Sequence, residues 1–110
     1  MTDRKRLPNR RTGHRATLRC DPYDVILQAG EYPDGNLGEI FLEVAKDGTF
    51  AKDILNAFAI AVSIGLQHGV TLEAFLHTYR NFNMEPDIVR TVFQELEQHY
   101  HTNKEQHEEG

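Results

Sequence analysis

Residues 37–45 read Leu37-Gly38-Glu39-Ile40-Phe41-Leu42-Glu43-Val44-Ala45. After Lys46-Asp47-Gly48-Thr49 the chain continues Phe50-Ala51-Lys52-Asp53-Ile54-Leu55-Asn56-Ala57-Phe58-Ala59-Ile60-Ala61-Val62. The first run alternates. Ile40, Leu42 and Val44 fall on one side and Glu39, Phe41 and Glu43 on the other, the two-residue period of a strand covered on one face. The second run places Ile54, Leu55, Phe58, Ala61, Val62 and, further on, Leu66 at spacings of three and four, as an amphipathic helix requires. The period changes at the Lys46–Thr49 loop, where Thr49 is placed to cap the helix. Strands before this boundary and helices after it predict an α+β domain.

Toward the N-terminus the alternation recurs. His14 to Cys20 puts Ala16, Leu18 and Cys20 on one face, and Val25 to Tyr32 reads as a second strand. Asp21-Pro22-Tyr23-Asp24 and Pro33-Asp34-Gly35-Asn36 are turn signals, the latter with a glycine free to take positive φ. Three strands on short connections predict an antiparallel meander. Toward the C-terminus, a long helix over Phe50–His68 ends at Gly69, the usual glycine of a helix stop. Its near-continuous apolar run makes it the expected central element, lying across the sheet. Thr71 caps a second helix with Leu72, Phe75, Leu76 and Tyr79 inward. Phe82 to Met84 make a connection, and Pro86 opens a third helix at its first position, carrying Ile88, Val92, Phe93 and Leu96. The expected core is Ile40, Leu42, Val44, Ile54, Phe58, Val62, Leu66, Phe75 and Val92. The expected organisation is a flexible basic arm over residues 1–13, an α+β domain over 14–100 and a disordered polar tail over 101–110.

The 110 residues, 39% of them hydrophobic, suit one domain. The longest apolar stretch, Ala57 to Leu66, is far below the ~20 residues of a membrane span. The basic start leads into Pro8-Asn9-Arg10-Arg11 and not into an apolar run, so no secretory signal is expected. The single cysteine, Cys20, excludes an internal disulfide and a cysteine-only metal site. A cytoplasmic location follows as the expectation.

The net charge of −5 conceals an asymmetry. Arg4, Lys5, Arg6, Arg10, Arg11, Arg15 and Arg19 stand against Asp3 alone, so residues 1–19 carry +6 and the remainder −11. Such an arm grips a polyanion or folds back on its own acidic body. Arg4, Lys5, Arg6, Arg10 and Arg11 are the candidate nucleotide or polyanion ligands, because a guanidinium fork suits phosphate oxygens. Cys20, beside Arg19, is a candidate redox thiol, since a nearby cation favours the thiolate; burial as a small apolar residue is the simpler reading. His68 ends the long helix, where the dipole favours a cation. His99, His101 and His107 form a loose tail without three-ligand spacing, so no metal site is expected. Asp34, Glu39 and Glu43 read as exposed polar positions. Neither a serine–histidine–aspartate arrangement nor a glycine-rich phosphate loop is present, and no catalytic residue is assigned.

Two blocks carry a resemblance. Pro33-Asp34-Gly35 with Glu39-Ile40-Phe41, and Ser63-Ile64-Gly65-Leu66-Gln67-His68-Gly69-Val70-Thr71-Leu72-Glu73, resemble the TSCPD domain. That domain occurs near the C-terminus of adenosylcobalamin-dependent (class II) ribonucleotide reductases and as short stand-alone proteins. Phe82-Asn83-Met84-Glu85-Pro86 is similar to the step before the family's last helix. Arg6-Leu7-Pro8-Asn9-Arg10-Arg11 is similar to the start of stand-alone members. The resemblance runs in order over residues 6–98. The Thr-Ser-Cys-Pro-Asp sequence that names the family is absent, as is the C-terminal cysteine pair through which the large reductases relay electrons.

The resemblance implies an accessory or regulatory protein in deoxyribonucleotide synthesis and DNA replication, partnered by a ribonucleotide reductase subunit. Adenosylcobalamin enters only by family association, and no cofactor is expected in this chain. One cysteine cannot supply a dithiol, and 110 residues cannot build the reductase barrel. The alternatives are a nucleic-acid or polyanion binder acting through the arginine arm, and a homo-oligomerisation module using the exposed sheet side with Tyr32 and Phe41.

Overall fold

The computed structural model describes residues 3–20, 23–45, 49–80 and 88–101. The expected turn at Asp21-Pro22, the Lys46–Gly48 loop, the Thr49 side chain, the Phe82–Met84 connection, Pro86 and the polar tail past residue 101 lie outside what it describes. The chain divides into two units, Met1–Val70 and Thr71–Gly110.

The first unit is the meander and the long helix. Strands β1 (Gly13–Cys20), β2 (Tyr23–Glu31) and β3 (Leu37–Ala45) pair antiparallel in the order β1-β2-β3. The α+β class and the three-strand meander are as expected. Cross-strand register stacks Leu18, Val25 and Val44 in one row and Ala16, Leu27 and Leu42 in the next. Val25 and Leu27 are fully buried. At the β2–β3 turn Gly35 has φ +88°, and Asp34 Oδ1 accepts the Asn36 N–H at 2.9 Å. The Asp34 carboxylate thus shapes the turn.

Helix α1 (Thr49–Gln67) packs on β3. Its buried stripe is Leu55, Ala59, Val62 and Leu66, spaced four, three and four. This corrects one core expectation: Ile54 is 54% exposed, as are Ile60 and Ile64 to a similar degree, while Phe58 is half-buried. An almost all-round apolar helix does not declare its inner face by period alone. Small Ala59 lies on the buried side, where it permits close approach.

The polar residues on that side settle the geometry. β3 is an edge strand, and an open edge exposes unpaired backbone groups. Ile40 N–H donates to Ser63 Oγ at 2.9 Å, and Ser63 Oγ–H donates to the Ile40 carbonyl at 3.1 Å. One turn on, Gln67 Nε2 donates to the Gly38 carbonyl at 3.1 Å. Two side chains at i and i+4 therefore complete the outer edge of β3 from the helix. Ser63→Ala leaves the Ile40 pair without that partner and is expected to cost about 1–2 kcal/mol, read as a lower urea midpoint with an unchanged slope.

The helix stops by a paired backbone motif. Val70 N–H donates to the Gly65 carbonyl at 2.9 Å and Gly69 N–H to the Leu66 carbonyl at 3.1 Å, with Gly69 at φ +100°.

The second unit holds α2 (Leu72–Arg80), α3 (Ile88–Leu96) and a π-helical turn (Glu97–His101). Thr71 caps α2, its Oγ1 accepting the Ala74 N–H at 3.1 Å. Leu76, Ile88, Val92, Phe93 and Leu96 are buried, and Phe75 is half-buried. The Phe93 ring stacks on Tyr79 at 4.7 Å and on Phe75 at 6.0 Å.

Candidate functional site

The arginine arm lies against the first unit. Lys5 N–H donates to the Gln67 main-chain carbonyl at 2.6 Å, and Arg4 Nε donates to Gln67 Oε1 at 2.7 Å. Tyr32 Oη–H donates to the Lys5 carbonyl, and Lys5 Nζ lies 5.0 Å from the Tyr32 ring centroid. Arg11 Nε pairs with Glu39 Oε2, while its Nη1 donates to the Pro8 carbonyl at 2.6 Å. Of the five arm cations singled out in the sequence, Arg4 and Arg11 make side-chain bonds within the unit and Lys5 sits over a ring. Arg6 and Arg10 are exposed, and among the described residues neither has an ion-pair partner.

Two side chains differ from their expected places. Glu39, read as exposed, is 8% exposed. Its cross-strand neighbour is Gly30, where an added Cβ would sit 2.3 Å from Glu39 Oε2. The missing side chain on β2 is the space the Glu39 carboxylate occupies, and Arg11 supplies the countercharge that a buried carboxylate requires. Tyr32, expected on the exposed sheet side, is buried beneath the arm. Gly38 lies under it, where a Cβ would meet Tyr32 Cε2 at 2.7 Å and Leu7 Cδ2 at 2.9 Å.

Burial, then the Glu39 carboxylate, raise the Tyr32 phenol above its ordinary value of 10.0, with Asp34 adding to the rise and Arg4 opposing it. The folded chain holds this proton longer than the unfolded one. The stabilisation is therefore fully present below pH 10 and is lost as pH rises through the folded value. Urea midpoints are expected to fall above about pH 10, and to fall less in Tyr32→Phe.

Beside the Arg11–Glu39 pair, the outer sheet face carries a shallow depression of about 310 Å³. Gly13 and Gly30 lie among its lining residues, together with Arg11, Arg15, Gln28, Glu39 and Phe41. Phe41 is 53% exposed. The alternation of β3 places Phe41 on this face but does not announce the depression. Its signal in the sequence is a pair of glycines, Gly13 and Gly30, opposed in register within strands.

Cys20 is buried at the end of β1, opposite Tyr23. Glu43 is exposed, and His68 is half-buried at the helix end. Among the described residues no three histidine, cysteine or acidic side chains gather as a metal site, and no helix is long and apolar enough to cross a membrane.

Residues 3–100 match the family model described as the TSCPD domain. The chain is also similar to large curated proteins. It is 41% identical over 86 residues to the vitamin B12-dependent ribonucleotide reductase of Bradyrhizobium diazoefficiens, covering 78% of this chain and 7% of that protein. The corresponding protein of Agrobacterium fabrum is 40% identical over 84 residues, covering 76% of this chain and 7% of its own length. That of Streptomyces coelicolor is 41% identical over 83 residues, covering 76% and 9%. The chain thus spans less than a tenth of the length of these relatives. No solved structure matches.

Proposed function

The chain belongs to the TSCPD domain family, and from that membership we propose that it is an accessory or regulatory protein of deoxyribonucleotide synthesis and DNA replication, acting in the cytoplasm on a ribonucleotide reductase subunit. The observation that carries the reading is identity of about 40% to a 7–9% portion of B12-dependent reductases. The residues of the second family-like block work as structure here: Ser63 and Gln67 complete a sheet edge and Gly69 ends a helix. That structural use of the block supports a docking or positioning part over a reacting one. The one cysteine of these 110 residues is buried and cannot by itself supply a dithiol. The test is affinity capture on the tagged protein from extracts of its source, followed by reductase turnover with and without added protein. Recovery of a reductase subunit with altered turnover supports the proposal. No reductase bound and turnover unchanged sinks it.

A second reading is polyanion binding through the arm, supported by the exposed side chains of Arg6 and Arg10. Arg6→Glu with Arg10→Glu then abolishes salt-sensitive binding to nucleic acid. A homo-oligomerisation role draws support from exposed Ile54, Ile60 and Ile64 on α1. Light scattering reporting a monomer at working concentration removes it.

A further inference from the structure

We propose that the outer face of the sheet binds a single strand of nucleic acid at the row Arg15–Gln28–Phe41. The inference deepens the second reading above by moving the contact from the arm to a defined surface.

The row is set by register. Arg15 on β1 lies opposite Gln28 on β2, and Gln28 lies opposite Phe41 on β3. Strands stand about 4.8 Å apart, so a cation, an amide and an aromatic ring share one line about 10 Å long on one face. All three residues are exposed. Among the described residues Arg15 has no ion-pair partner, unlike Arg11 and Arg19, which pair with Glu39 and Asp24.

Each member supplies a distinct contact. An exposed aromatic ring stacks any base through its π-face. A glutamine amide donates and accepts, so it can bond a base edge. An unpaired guanidinium takes phosphate oxygens. Arg15, Gln28 and Phe41 all line the depression, so the three contacts open onto one shared hollow of the sheet face.

The observations favour a strand over the other occupants. A free nucleotide would hold only one stack and one ion pair on an open face. A strand gains further phosphate contacts to Arg10 and Arg6, exposed on the segment leading into β1, and releases counterions at each. A duplex keeps its bases stacked inside and cannot offer one to Phe41. Arg15 on the row and Arg6 and Arg10 on the arm, exposed and without an ion-pair partner among the described residues, make an anionic occupant the complementary one.

The test is fluorescence anisotropy with labelled oligo-dT and oligo-U of about 12 nucleotides, using the full chain. The wild type binds at least one of them, and Phe41→Ala weakens that binding about tenfold with its salt slope unchanged. Arg15→Gln lowers the salt slope by about one. Circular dichroism verifies that both exposed-site variants stay folded. Absence of binding by the wild type to either oligonucleotide overturns this proposal, and the arm reading falls with it only where duplex is not bound either. Binding that survives Phe41→Ala but is lost in Arg6→Glu with Arg10→Glu leaves the arm reading standing and overturns this one. Equal affinity for duplex, or full competition by a mononucleotide at the strand's own concentration range, also overturns it.

Discussion

Leu27→Ala is expected to destabilise the first unit by about 2–5 kcal/mol, a large part of what a small domain possesses. Leu27 has no exposed surface and sits in the middle strand, opposite Ala16 on one side and Leu42 on the other. Ala16 is too small to fill a vacated volume from β1, and Leu42 is held in its strand by register. The cavity therefore stays open, and its cost adds to the lost transfer energy of the side chain. Urea unfolding followed by circular dichroism reads the effect as a lower midpoint. Ile54→Ala is the matched control. Because Ile54 is 54% exposed, its truncation is expected to stay within about 0.5 kcal/mol. Equal losses in the two variants would mean that α1 presents a different face to the sheet.

That comparison also marks where the sequence was legible. The strands were, because each has one covered face and polar residues on the other, so a two-residue period survives in Ala16/Leu18/Cys20 and Ile40/Leu42/Val44. β3 has the expected bounds, Leu37–Ala45, and α1 is displaced by one residue at each end. The inner face of α1 was legible only in part: Val62 and Leu66 are buried as expected, whereas Ile54 is exposed and Leu55 and Ala59 take the inner positions. Alanines and isoleucines surround it, and the buried side is distinguished by polar residues, Ser63 and Gln67, that serve a strand edge 23 to 29 positions away in sequence. Period analysis counts such residues as outward.

The site was legible in composition and not in arrangement. The basic excess was visible, but which cations are engaged depends on pairings across 28 residues for Arg11–Glu39 and 63 for Arg4–Gln67. Glu39 was misplaced for the same reason. Its burial depends on what stands opposite, Gly30, and on what arrives from the arm. A glycine inside a strand pattern is the local sign that another group needs its space. The likeness to reductases has the same physical character: the Ser63-to-Gly69 block that supports it explains how the unit is held together.

Gln67→Ala should be the most damaging loss of a polar side chain within that block, costing about 3 kcal/mol because a hydrogen bond of the buried amide disappears on each side. Gln67 is 5% exposed. Its Nε2 serves the Gly38 carbonyl and its Oε1 accepts from Arg4 Nε. Truncation leaves an edge carbonyl of β3 and a guanidinium without these partners, in a space an alanine cannot fill. The Gln67 main-chain carbonyl still accepts from Lys5 N–H, so the arm loses one anchor and keeps another. Hydrogen exchange separates these outcomes. The Lys5 amide is expected to lose protection well before the amides of β2, as the arm releases while the sheet holds. Gln67→Glu tests the polarity of the interaction: its carboxylate accepts from Arg4 but cannot donate to Gly38. The expected order of urea midpoints is wild type, then Gln67→Glu, then Gln67→Ala. A Gln67→Ala midpoint equal to that of the wild type would show that Ser63 alone suffices to complete the edge.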